Sequence, residues 1–98
     1  MRRAARVDAN QKEIVEYLRK RGASVQLLHT VGKGCPDIVV GYGGCNYLFE
    51  IKDGSKPASQ RKLTPDEQEW HDEWKGSVLV VACKWDVDLE MGWGEDDE

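Results

Sequence analysis

The chain has 98 residues, of which 40% are hydrophobic and 33% charged, the size and balance of one ordinary globular domain. No apolar run approaches the roughly 18 residues that a membrane span needs, and the basic start, Met1 to Arg6, is not followed by the apolar stretch of a secretion signal, so a cytoplasmic protein with no membrane partner is expected. The formal net charge is −4, yet residues 1–62 carry twelve Lys/Arg against six Asp/Glu and residues 63–98 two against twelve, and a basic first two-thirds suits a polyanionic partner.

In chain order, the first element is a helix. Asp8 or Asn10 can cap it, and Ile14, Val15, Tyr17 and Leu18 recur at helical spacing. Arg19, Lys20 and Arg21 suit the negative end of its dipole, and Gly22 stops it. Val25 to His29 alternates loosely and reads as a strand. The loop from Val31 to Pro36 holds Lys33 between two glycines, but it has neither the strand-loop-helix setting nor the Ser/Thr ending of a phosphate-binding loop. No nucleotide cofactor is expected.

Asp37 to Val40 reads as a short buried strand entered from Pro36, Gly41 to Gly44 as a hairpin, and Asn46 to Lys52 as the next strand. Asp53 to Lys62 is a polar basic loop carrying Lys56, Arg61 and Lys62. Thr64, Pro65 and Glu67 then form a helix-capping signature. In the helix that follows, Trp70 and Trp74 lie four apart and are expected to pack on the sheet. Val78 to Cys83 is a continuous apolar run, expected to be a central strand buried on both faces. A helical turn over Asp86 to Met91 and a frayed acidic tail, residues 92–98, complete the chain.

The expected order is helix, three strands, helix, strand: one α/β domain spanning residues 1–98, with a core over residues 10–84 and a mixed sheet in which the last crossover makes a parallel pair. Cys35, Cys45 and Cys83 have no CxxC spacing, and with only two histidines present the sequence argues against both a disulfide framework and a structural zinc site.

Three residues carry the chemistry. Strand alternation points Glu50 and Lys52 to one side and Ile51 to the other, and the hairpin brings Asp37 alongside. Two carboxylates offer hard oxygen ligands for Mg2+ or Mn2+, and the Ile51 backbone carbonyl can add a further oxygen. Such an ion lowers the pKa of a bound water and polarises a phosphodiester. Lys52 would orient or deprotonate the water, or neutralise the developing charge.

Pro36-Asp37, Glu50-Ile51-Lys52 and the helix with Asn10-Gln11-Lys12-Glu13-Ile14-Val15 closely resemble the PD-(D/E)xK nuclease superfamily. The nearest branch is the virus-type replication-repair nuclease (VRR-NUC) domain, itself similar to Holliday-junction resolvases. The Leu63-Thr64-Pro65 run and the Trp70-His71 helix are similar to that branch too. The resemblance implies a restriction-endonuclease-like αβββαβ core and a Mg2+- or Mn2+-dependent endonuclease, in the cytoplasm of a phage's host, acting on branched DNA such as a Holliday junction or flap, and often a homodimer. It makes Asp37 and Glu50 metal ligands and Lys52 the catalytic lysine. The glutamate that the family carries on its first helix falls on Glu13, with Gln11 as the alternative. Lys33, Lys56, Arg61, Lys62 and the N-terminal arginines would hold DNA phosphates by charge. A catalytically silent DNA-binding or assembly subunit of the same fold is the second reading.

Overall fold

A computed structural model describes residues 10–94. In chain order these form α1 (Gln11–Lys20), β1 (Ser24–Leu27), β2 (Ile38–Tyr42), β3 (Cys45–Ile51), a 3-10 turn (Ala58–Gln60), α2 (Pro65–Glu73), β4 (Leu79–Val81) and α3 (Lys84–Met91). The fold is α/β: a four-stranded mixed sheet in the order β1-β2-β3-β4, flanked by three helices. The expected αβββαβ order is present, with one more helix behind it. β1, β2 and β3 run antiparallel, and β3 and β4 are the parallel pair made by the crossover through α2. Among the described residues, no helix is long and apolar enough to cross a membrane.

The core lies on one face of the sheet. Strand alternation and the pairings Ile38↔Phe49 and Ile51↔Val81 put Ile38, Val40, Phe49, Ile51 and Val81 on that face. Each is at most 1% exposed. α1 covers them with Ile14, Val15 and Leu18, a stripe at i, i+1 and i+4, and α3 adds Val87 and Met91. Asn10, just before α1, does not cap it through its side chain. Its amide instead donates to the carbonyls of Lys52 and Ala82, each at 2.9 Å, and so ties the start of the helix to the ends of β3 and β4. Asp8, the other expected cap, lies outside the described residues.

Three expectations are corrected. β4 is an edge strand, not a central one. Val81 is buried, but Val80 is 46% exposed, so the apolar run covers one face only. Trp70 and Trp74 do not pack in the core: α2 buries no residue, and its two indoles stack on each other at 4.6 Å with planes 18° apart. The ordered body also does not end near Lys84. α3 is a full helix closed by Gly92 at φ 77, and Trp93 turns back into the core at 9% exposure. Residues 95–98 of the expected acidic tail lie outside the described residues.

Candidate active site

Asp37 immediately precedes β2, and its backbone N–H continues the ladder by donating to the Phe49 carbonyl at 3.1 Å. Because Ile38 faces the core, Asp37 faces the other side of the sheet, where Glu50 also points. The Asp37 carboxylate accepts from the Ile51 N–H at 2.6 Å. The aspartate thus takes the place of the next strand residue and holds the end of β3 in register. Ile51 therefore meets Asp37 through its N–H.

Glu50 is 2% exposed, an unusual place for a carboxylate. Its carboxyl is pushed up to about 9, first by burial and then by the charges of Asp37 and Glu67, with Lys52 opposing the rise. Lys52 places its Nζ 3.7 Å from Glu50 Oε2 and 2.7 Å from Glu67 Oε1. Its close partner is the Glu67 carboxylate, with the Glu50 carboxyl lying farther off. The remaining Glu50 oxygen, Oε1, is buried without a hydrogen-bond partner and lies 4.0 Å from His71 Nε2, which has none either.

α2 supplies Glu67 and His71. Its capping box is complete: the Glu67 N–H donates to Thr64 Oγ1 at 3.2 Å, and the Thr64 N–H donates to Glu67 Oε1 at 2.9 Å. The same Oε1 accepts from Lys52. Burial acts to raise the Glu67 carboxyl, but the hydrogen bonds from Lys52 and Thr64 and the Lys52 charge outweigh it and hold it below the usual range. One oxygen therefore closes the helix cap and fastens the helix to the residue that follows β3. The loop before β2 is fitted to the same turn. A Cβ at Gly34, whose φ is +83, would stand 2.2 Å from the Asp66 carbonyl oxygen, so only glycine allows this approach. Cys35 lies in the field of the acid pair: burial raises its thiol most, then Glu50 and Asp37.

The structure brings together Asp37, Glu50 and Lys52, and adds Glu67 and His71, to which sequence reasoning assigned no role in the site. From sequence Glu67 reads as a cap, and near the start of the second helix, where the family often carries a glutamine, it stands just before Gln68 with no role assigned. His71 is legible only within the Trp70-His71 helix that resembles the family branch, with no role of its own assigned. The first choice on α1, Glu13, does not reach the site. Its side chain is 64% exposed and pairs with Lys84 at 3.3 Å. The helix buries Gln11, Ile14, Val15 and Leu18, and two residues along from Gln11 is the opposite face. Gln11, the alternative, is 4% exposed with its Oε1 unbonded, and it lines a groove with Val15, Leu27 and His29.

Among the expected phosphate contacts, Lys56 and Lys62 are exposed on the loop after β3. Arg61 spends its Nε on the Lys56 carbonyl at 2.8 Å. Lys33 stands apart from them, lining a groove with Asp66, Glu69, Trp70 and Glu73. The carboxylates of that groove offset its charge.

No family model, curated protein or solved structure matches the chain, so its chemistry is read from its own residues. Among those described, no three His, Cys, Asp or Glu side chains form a ready-made cation cage. Asp37 and Glu50 still fit a divalent cation of the magnesium kind, which keeps several waters and takes one or two carboxylates. The unbonded, buried Glu50 oxygen and the acid-acid repulsion are both relieved by positive charge at that point.

Proposed function

We propose that this chain is a divalent-metal-dependent endonuclease that hydrolyses phosphodiester bonds in branched DNA, such as a Holliday junction or flap. The observation that carries the reading is the convergence of Asp37 and a buried, cation-demanding Glu50 beside Lys52, whose amine is fixed at 2.7 Å to Glu67. The same residues support membership of the VRR-NUC branch of the PD-(D/E)xK nucleases.

A divalent ion, when bound, would activate water and polarise the phosphate. Asp37 and Glu50 would hold it, with the Ile51 carbonyl as a further oxygen. In hydrolysis the water oxygen joins phosphorus, the bond from phosphorus to one sugar oxygen breaks, and that oxygen leaves as a hydroxyl, taking up a proton from solvent in exchange for the one the attacking water releases. Negative charge grows on the phosphate oxygens as this happens. Lys52, ion-paired with Glu67 at 2.7 Å, is suited to stabilise that charge. Of the roles open to it, this fits the ion pair best, because an amine fastened to a carboxylate at 2.7 Å is a poor base. Lys56 and Lys62 would meet the backbone without reading sequence. A two-fold dimer would offer the two equivalent sites that a four-way junction calls for.

Labelled four-way junction, flap and linear duplex DNA, each incubated with the protein and Mg2+, Mn2+ or EDTA, test this reading. Cutting of the branched forms alone, lost in EDTA, is the expected result. Binding without cutting under every metal condition would replace the proposal with a silent DNA-binding role.

A further inference from the structure

Glu50 Oε1 and His71 Nε2 are both buried, both lack a hydrogen-bond partner, and face each other across 4.0 Å. The side chains are 3% and 11% exposed, so bulk water does not satisfy them. The gap exceeds the roughly 3.2 Å limit of a good hydrogen bond. Leaving two such atoms unbonded is costly, so the pair calls for a shared third partner.

The backbone accounts for the meeting. Glu67 is tied to Lys52, and His71, four residues on, lies on the same flank of α2 one turn later. Lys52 and Glu50 point to the same side of β3, so the turn that carries His71 is laid over Glu50. The two Glu50 oxygens then divide their surroundings: Oε2 faces the Lys52 ammonium, and Oε1 faces the imidazole.

Resting on the nuclease reading, we infer that His71 is a nitrogen ligand of the same divalent cation, shared with Glu50, and that it tilts the site toward first-row transition ions over magnesium. Two donors that bind one ion at about 2.0–2.2 Å stand between about 3 and about 4.3 Å apart, depending on the angle at the ion, and 4.0 Å lies inside that range. A cation there meets both unbonded atoms at once. Imidazole nitrogen suits transition ions, whereas magnesium keeps to oxygen.

The test is paramagnetic resonance of Mn2+ bound to the full chain, with 15N introduced only in histidine. The expected spectrum shows 15N coupling to manganese. That coupling disappears in His71→Ala and persists in His29→Ala, which removes the only other histidine. His71→Ala should also weaken Mn2+ binding about tenfold while changing Mg2+ binding less. The wild-type spectrum needs no variant to fold. Mn2+ bound without 15N coupling overturns the role of His71 and leaves the carboxylate site standing. No Mn2+ binding at millimolar concentration overturns this inference and the metal-dependent reading together.

Discussion

A carboxylate that is 2% exposed, has one unbonded oxygen and faces two acidic neighbours opposes folding wherever it ionises. In metal-free protein Glu50 should therefore set a slope in stability against pH. Its folded pKa of about 9 lies above the ordinary value of 4.5. Below 4.5 it is protonated in both states and costs nothing. As pH rises toward 9 the unfolded chain ionises first, binds fewer protons, and stability falls. Glu67 acts oppositely: its depressed carboxyl contributes stability that is lost as pH falls through and below the usual carboxylate range. In EDTA, Glu50→Gln should thus melt on the order of 5 °C above wild type at pH 8, and match it near pH 4. Mn2+ should raise the wild-type midpoint and not that of the variant, because only the native site binds it. A flat pH profile of the difference would mean that Glu50 carries no such strain. Lys52→Ala should lower cleavage by about 10²–10³ while leaving DNA binding in place, the usual cost of losing one charge-stabilising donor. Unchanged cleavage would remove Lys52 from the chemistry. Asp37, Glu50 and Lys52 were readable from sequence because strand alternation and one hairpin fix their side of the sheet. Gln11 and Glu13 were not separable that way, since the choice depends on which stripe of α1 the core buries.

At the scale of elements, α2 is held to the sheet mainly by its first turns and not by apolar burial. Thr64→Ala and Glu67→Ala should therefore differ in kind. Removing the threonine cap costs about 1 kcal/mol and leaves Glu67 paired with Lys52, so cleavage should stay near wild type. Glu67→Ala removes a cap partner and the group that places Lys52, so cleavage should fall by at least about tenfold beyond what the stability loss explains. Equal activity in the two variants would show that Glu67 serves the helix alone. The capping box itself was legible, because it is a local arrangement of four residues. The fate of the tryptophans was not. Trp70 and Trp74 share a helical face whether that face meets a sheet or solvent, and their spacing fits self-stacking as well as core packing. β4 misled for a similar reason. A run of valines is apolar on both sides, but its position in the strand order, which decides how many sides are covered, is set by the β3–α2–β4 crossover.

Across the whole molecule the two faces of the sheet divide the work: α1 and α3 cover the core face, and the candidate site occupies the other. Trp93 ties the core side together. Its ring meets Tyr17 of α1 edge-on at 6.0 Å and Tyr42 at the end of β2 at 5.1 Å, and the Arg21 guanidinium lies 4.6 Å over it. Gly92 makes this possible by turning the chain left-handed after α3, and the Trp93 N–H then returns to the Asp88 carbonyl at 2.9 Å. Tyr17 also donates to the Asp88 carboxylate, so the same corner joins α1 to α3. From sequence, Gly92-Trp93-Gly94 before a run of acids reads as a tail, because nothing local reveals that three aromatic rings from distant segments meet. The packing gives a clear expectation. Trp93→Ala should cost about 3–5 kcal/mol of stability, the range for losing a large buried aromatic, seen as a lower denaturant midpoint with little change in slope. Trp93→Phe should recover part of it. Because the ring sits on the side of the sheet away from Glu50 and Lys52, the alanine variant should still cleave DNA at temperatures where it remains folded. A Trp93→Ala protein as stable as wild type would return residues 92–98 to the role of a tail. One that stays folded but inactive would show that the two faces are coupled through the sheet.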